Sequence, residues 1–546
     1  MSARPTRWLL AVWLCFLVRA FFYCAAFPLW EGFDEWAHFA VVERMAFRGE
    51  PLVSRDSPLP RDVAASLDLV PLPWELRTLG RPSLTHDDFW RLPPAERARR
   101  ESLFRAIKPA WALEDTGNLK AYEGLQGPLY GWIMTPLLLV ARHAHLATQV
   151  LLLRWFGVTI VSLVIPLSFF AFRFVFRDPS LALGCAALIA VMPGLLIDVA
   201  HVSNESVAVV LFTVLIWLSL KTARQGLTRL RALSLGAVLG LGLLAKAYFL
   251  TAIPPVFLLL AWKCRRDRCA LLVPLATLAV AGWWYARNLL TTGSISGMWE
   301  TAALPTATFG DQLRQIARIR WGVVIDSILF SHLWLGSWST LTVRSWMYHF
   351  LYLLIALAAA GLAWEWFRPV RTSQARPNRA ALAVLALFFL TFWLGQLYHA
   401  ITLFMVWGIA TTLGSYLYAV VTAEAALWVA GMRAITPRAA RRLAAPFGVA
   451  IFALLDLYTI HFVSLPYYTG LTAHRPNGFL ASFHPGGASF AEVLTRLHAF
   501  KSAILGEPVL AGLWIAYVAA TAALVTIAFL SHSPSADEVT HTAAEL

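Results

Sequence analysis

The densest chemistry in the chain is Glu31-Gly32-Phe33-Asp34-Glu35-Trp36-Ala37-His38-Phe39, where three carboxylates and an imidazole fall within eight residues. A carboxylate held within hydrogen-bond reach of a hydroxyl can take its proton as a general base. On a helix, Asp34 and His38 share one face, which is also the spacing of a metal-ligand pair. Oxygen-rich donor sets suit Mg²⁺ or Mn²⁺, so a divalent cation at Glu31, Asp34, Glu35 and His38 stays open. A charged collar at a helix end has the same spacing. Two more segments pair a carboxylate with an amide at a helix mouth: Tyr122-Glu123-Gly124-Leu125-Gln126, and His201-Val202-Ser203-Asn204-Glu205-Ser206. Lys246 stands in the otherwise apolar stretch from Gly240 to Leu250. Ionisable groups at membrane depth are costly and are functional candidates by default; a snorkelling lysine is the alternative.

The elements that must carry these residues follow from composition. Of 546 residues 59% are hydrophobic and only 14% charged, with 24 Trp and a mean hydropathy of +0.63. Soluble domains run at about 45–50% apolar and about 25% charged, so the chain reads as an all-α polytopic membrane protein. Disorder is excluded on the same ground. The net charge of +14 reports loop orientation in such a protein rather than nucleic-acid binding. Cys15 and Cys185 lie inside apolar runs, which rules out a disulfide framework, and Cys264 and Cys269 have a poor zinc spacing. The strong preference for arginine over lysine points to a GC-rich bacterial genome.

Arg4 and Arg7 precede an apolar run long enough to span, with no small-residue cleavage site, so residues 1–29 form the first transmembrane helix rather than a signal peptide. Residues 30–127 make a large first outer loop. Within it Trp36, Phe39, Val42 and Ala46 trace an amphipathic helix on the membrane interface, ended by Gly49 and Pro51. Basic loops at Lys221–Arg231, Lys263–Arg268, Arg368–Arg379 and Arg433–Arg442 belong in the cytoplasm. Parity then divides the core. Residues 128–286 hold the core helices, with three short passes over 128–176, two over 232–262 bending near Lys246–Pro255, and one over 270–286. A second outer loop covers 287–345. Residues 346–465 return to the membrane, crossing twice over 380–431 with a turn near Tyr398–Thr402. An outer loop at 466–508, a last helix at 509–531 and an acidic cytoplasmic tail at 532–546 complete the chain. The count is about 14 helices, 13 ± 1. No internal repeat is visible, which counts against many transporter folds.

In this order the sequence resembles the GT-C superfamily of integral-membrane glycosyltransferases, over about residues 8–465. It is most similar to the branch of protein mannosyltransferases and lipid A aminoarabinose transferases. The likeness rests on Asp34, Glu35 and His38 followed by Gly49-Glu50; on Gly127-Pro128-Leu129-Tyr130 for a Pro-Pro-Leu-Tyr helix start; on Asn204-Glu205 for an outer Asn-Asp turn; on Lys246 after a Gly/Leu run; and on Trp283-Trp284-Tyr285-Ala286-Arg287-Asn288. It departs from the family at Gly127, at Glu205, and at Gly414-Ser415-Tyr416, where a Gly-Arg-Tyr signature loses its arginine. The resemblance implies a plasma-membrane enzyme with its active site on the periplasmic or exterior face. It would move a sugar from a polyprenyl-phosphate donor to an envelope glycan, lipid or protein acceptor. Departing phosphate needs cations and the acceptor hydroxyl needs a base, and one displacement inverts the anomeric centre. Asp34 is then the base and Glu35 its helper. Lys246, Arg287 and Arg154 are donor-phosphate contacts, and His38, Tyr122, Glu123, Gln126, Asn204, Glu205 and Tyr416 are substrate contacts. No cofactor is required, with Mg²⁺ or Mn²⁺ left open. Arg19 reads as a partner inside the bundle and His399 as structural or acceptor-facing. Two other classes stay open: a transporter or flippase of a lipid-linked sugar, which calls for charges deep in several helices, and a non-catalytic member of an envelope-glycan complex.

Overall fold

The computed structural model describes residues 3–78, 84–108, 119–304, 309–367, 377–484 and 488–532. Most of the third basic loop and the acidic tail lie outside the described residues. Among the described residues the protein is helical, with isolated β-bridges and no strand. Nine helices among the described residues are long and apolar enough to cross a membrane, or ten if the pair Pro179–Val191 and Pro193–Val199, bent by 58°, is one span. That is the multi-pass architecture expected from composition, with fewer long spans than about 14.

The shortfall has identifiable causes. Residues 128–176 hold one long span, Leu146–Val175, preceded by the short helix Leu129–Val140. Twelve residues reach only about 18 Å, too little to cross. His145, between the two, donates from Nε2 to the Phe104 carbonyl of the first loop (3.0 Å), so the short helix returns to the side it left. One crossing satisfies the parity that three were expected to satisfy. Residues 380–431 do form two spans, Arg379–Trp407 and Gly414–Ile435, but the turn comes after Trp407 rather than near Tyr398. Residues 229–263 break at Lys246, whose extended backbone (φ −157°, ψ 141°) separates Arg229–Ala245 from Ala247–Lys263.

The helix Glu35–Arg48, called the collar helix here, ends on Gly49 in a left-handed C-cap (φ 64°). It was expected to lie on the membrane surface, yet every residue from Glu35 to Met45 is buried. First-loop helices and the bundle end enclose it, and Trp30 Nε1 ties its lead-in turn to Ser66 Oγ at 2.9 Å. Deep in the bundle, Arg19 meets Asp456 at 2.8 Å, and both are fully buried. The same guanidinium donates to the carbonyls of Ala190 and Val191, where the bent helix pair breaks. Tyr23 and Tyr517 donate to the Asp456 carboxylate. The unsatisfied helix carbonyls of the bend thus find a donor whose own charge is paired, a requirement for burial.

Candidate active site

Helix direction brings the chemistry to one end of the bundle. The first helix, Ala3–Ala26, runs up to it. The helix Glu205–Gln225 starts there, and Lys246 returns there at the head of Ala247–Lys263. The basic segments Lys221–Arg231, Lys263–Arg268 and Arg433–Arg442 sit at the helix ends away from it. At the site end a cavity of about 490 Å³ is lined by Asp34 and His38, by Glu123 and Gln126, by Asp198, His201 and Ser203, by Glu205 and Lys246, and by Ser415 and Tyr416.

Asp34 caps the collar helix, and its carbonyl accepts from the Ala37 and His38 amides at 3.0 Å each. Its backbone is left-handed, at φ 55°, a conformation a non-glycine residue holds only when its surroundings impose it. The constraining contact comes from Tyr122, whose hydroxyl donates to Asp34 Oδ1. Burial raises the Asp34 carboxyl above its ordinary range, against the Tyr122 hydrogen bond and the Lys246 charge. Gly32, two residues earlier, faces the His201 ring so closely that no β-carbon fits.

Lys246 Nζ is ion-paired with Glu205 Oε1. It also lies 5.1 Å from the Tyr416 ring centre and 5.4 Å from that of Tyr248, whose hydroxyl donates to Glu205 Oε2 at 2.7 Å. Asn204 Nδ2 donates to the Ala245 carbonyl (3.3 Å), fastening the turn before Glu205 to the turn that carries Lys246. A second chamber of about 390 Å³ adjoins the first, lined by Met45, Val53, Gly127, Tyr130, Asn204 and Trp284 among others. His38, Glu123 and Gln126 line both chambers and form the wall between them. Gly127, where the family pattern carries proline, packs on the Leu244 carbonyl with no room for a side chain.

Glu123 Oε2 is 3.5 Å from His38 Nε2. Burial, then the charges of Asp34 and Glu205 against that of Lys246, pushes the Glu123 carboxyl up to about 8. Burial holds the imidazoles of His38 and His201 down to about 3, with Lys246 adding to the effect at His38. Both are neutral imidazoles at neutral pH. Residues lining these chambers carry buried polar atoms without a hydrogen-bond partner: Asp198 Oδ2, both ring nitrogens of His201, Gln126 Oε1 and Asn204 Oδ1. Such atoms are costly unless something fills their hydrogen-bonding capacity.

Other expected residues stand elsewhere. Glu35 faces away from the cavity into Arg154, whose Nε and Nη2 each donate at 2.6 Å. Arg154 also donates to the carbonyls of Cys24, Phe27 and Pro28, and the Val202 amide donates to Glu35 Oε1 at 3.0 Å. Burial alone would raise Glu35, but the Arg154 charge and these hydrogen bonds hold the carboxyl below its usual range. The pair braces the lead-in of the collar helix, and neither residue lines the cavity where a helper base and a phosphate ligand were expected. Arg287 stacks on Trp284, 5.0 Å from its ring centre, and does not line the 490 Å³ cavity. Tyr122 holds Asp34 rather than forming the wall. Glu31 turns to His86 (3.2 Å) in a separate buried cluster. Of the four residues considered for a cation only Asp34 and His38 line the cavity, and no group of three His, Cys, Asp or Glu suited to a metal occurs among the described residues. His399 is bonded to Thr412 at 2.9 Å and lies 3.6 Å from Glu300. Asp198 and His201 line the cavity without having been singled out. The signal for Asp198 was present, a lone carboxylate in an apolar run just after Pro193. That for His201 was not.

Comparison with protein-family models returns no match, and comparison with curated protein sequences returns none either. Among solved structures the chain is similar to ArnT from Cupriavidus metallidurans bound to undecaprenyl phosphate. The sequences are 13% identical, the match covers 97% of this chain and 78% of that one, and the TM-score is 0.42.

Proposed function

We infer that this chain is a membrane glycosyltransferase that takes a sugar from a polyprenyl-phosphate donor and places it on a hydroxyl of an envelope glycan, lipid or protein. The observation that carries this is a single cavity into which separate helices bring one carboxylate in a strained, imposed position, Asp34, and one ammonium, Lys246. In the proposed reaction the acceptor oxygen attacks the anomeric carbon and the bond from that carbon to the phosphate oxygen breaks. Asp34 takes the hydroxyl proton, the phosphate keeps the electron pair, and Lys246 stabilises its charge. A single displacement inverts the anomeric centre. Glu205 and Tyr248 keep the ammonium in place, while Tyr416 and Asn204 shape the two chambers. The basic helix ends lie at the opposite end of the bundle, which by the positive-inside rule supports a cavity on the exterior face.

The test is a deletion strain whose envelope glycans are read by mass spectrometry, complemented with wild type or Asp34→Asn. Loss of one defined sugar, restored by wild type and not by Asp34→Asn at equal membrane abundance, supports the reading. Full restoration by Asp34→Asn sinks the role of Asp34. Movement of a lipid-linked sugar in proteoliposomes without bond formation would replace the enzyme with a flippase.

A further inference from the structure

The charge balance of the cavity does not close for an anionic ligand. Four carboxyl groups, Asp34, Glu123, Asp198 and Glu205, face one ammonium, Lys246. Lys246 is already paired with Glu205, and the two histidines on the walls, His38 and His201, are neutral. A donor phosphate brought into this set would meet uncompensated like charge in a buried place, which is strongly unfavourable. One of the carboxyls must therefore carry a proton when the donor is bound. Asp34 is needed as the base and Glu205 is held by Lys246 and Tyr248. Asp198 accepts from the Ser415 hydroxyl and lines the first chamber alone, where a proton would ease the same balance. Glu123 stands on the wall shared by both chambers, with the neutral ring of His38 3.5 Å away, and is the carboxyl placed to meet a phosphate lying between them.

We propose that Glu123 receives the donor in its protonated form, its carboxylic O–H donating a hydrogen bond to a phosphate oxygen beside Lys246, so that donor binding is linked to one proton held at this residue. This rests on the donor assigned under Proposed function. A carboxylic acid kept neutral in a buried site so that it can donate is known chemistry. The groups facing Glu123 agree with it. Asp34 and His38 come from the collar helix and its lead-in, and Tyr122 from the same turn. Glu205 heads its own helix, Lys246 stands at the helix break, and Tyr416 comes from Gly414–Ile435. Burial and the two flanking carboxylates keep the proton on Glu123 up to about pH 8. No histidine on the walls gains charge in the same range, since both are held down to about 3.

The probe is farnesyl methyl phosphate, a prenyl phosphodiester whose single charge does not titrate near neutrality, with binding to the detergent-solubilised full chain followed by calorimetry. For wild type, Kd should rise about tenfold between about pH 6 and about pH 9, as the folded protein loses the linked proton. Glu123→Gln, whose amide donates at every pH, should bind with a flat profile. Glu123→Asp should keep a pH dependence, and Glu123→Ala should bind weakly throughout. Melting curves confirm that each variant is folded. A flat wild-type profile, or a dependence that persists in Glu123→Gln, overturns the proton linkage while leaving the donor assignment standing. A folded wild type that does not bind the phosphodiester at any pH overturns the donor assignment itself.

Discussion

Asp34 is held by its neighbours more than by its own preferences. Left-handed backbone is rarely adopted outside glycine, and the Tyr122 hydrogen bond aims the carboxylate from a segment 88 residues away. Asp34→Asn keeps shape but removes the base, so transfer should fall by about 10²–10⁴-fold with expression and melting unchanged. Tyr122→Phe leaves the base in place and releases its aim, so a smaller loss in kcat is expected, measured on purified enzyme. Lys246→Gln should act on donor binding, seen as a raised KM. Because the proposed chemistry runs on side chains, incubation with EDTA should leave transfer unchanged. Loss of activity restored by Mg²⁺ or Mn²⁺ would put a cation in the site.

At the scale of elements, two braces hold the collar helix and with it Asp34. The first is Glu35 with Arg154, which also caps the carbonyl end of the first helix together with Lys501, a donor to Ala26 and Phe27. Cations are favoured at that end of a helix. Arg154→Met leaves a buried carboxylate unpaired and should cost about 3–5 kcal/mol, read as a lowered Tm in detergent. The second is a carboxyl pair, Glu43 on the collar helix and Asp62 on the helix Arg61–Leu69, each 2% exposed. Burial and the Asp62 charge drive Glu43 well up, and burial, against hydrogen bonds from Glu43 and the Val63 amide, raises Asp62 to about 6. Raised carboxyls bind protons more tightly folded than unfolded. Their stabilisation is complete below the unfolded value and is lost as pH rises through the folded one. Raising the pH from about 5 to about 8 should therefore cost on the order of 1 kcal/mol at Asp62, with Glu43 adding to the loss. Glu43→Gln should flatten that part of the pH–Tm curve, and an unchanged curve would remove the pair from the account.

For the whole molecule the expected observable is sidedness. The cavity and the first loop share one end, and the arginine-rich turns share the other. With the native cysteines replaced, Arg55→Cys should react with an impermeant maleimide in intact cells. Arg266→Cys should react only after permeabilisation. The reverse pattern would place the active site on the cytoplasmic face and with it change the donor pool the enzyme can reach.

Composition alone determined that the chain is a helical membrane protein, because so little charge can cover so much apolar surface only in lipid. Spacing and charge also brought out Asp34, Glu123, Glu205 and Lys246, since an ionisable group beside an apolar run is conspicuous in one dimension. Three-dimensional packing decided which neighbours share a chamber. Glu35 adjoins Asp34 in the chain, but Asp34 is the cap with a left-handed backbone and Glu35 the first helical residue, so one enters the cavity and the other meets Arg154. Asp198 and His201 reach the site because a helix bends at Val191–Pro193, and that bend is held by Arg19, which is remote in sequence. Residues 128–176 misled because apolar length is the same for three short passes and for one long span with a juxtamembrane helix. The contact between His145 and Phe104 distinguishes them, and it exists only once the loop has folded back onto the bundle.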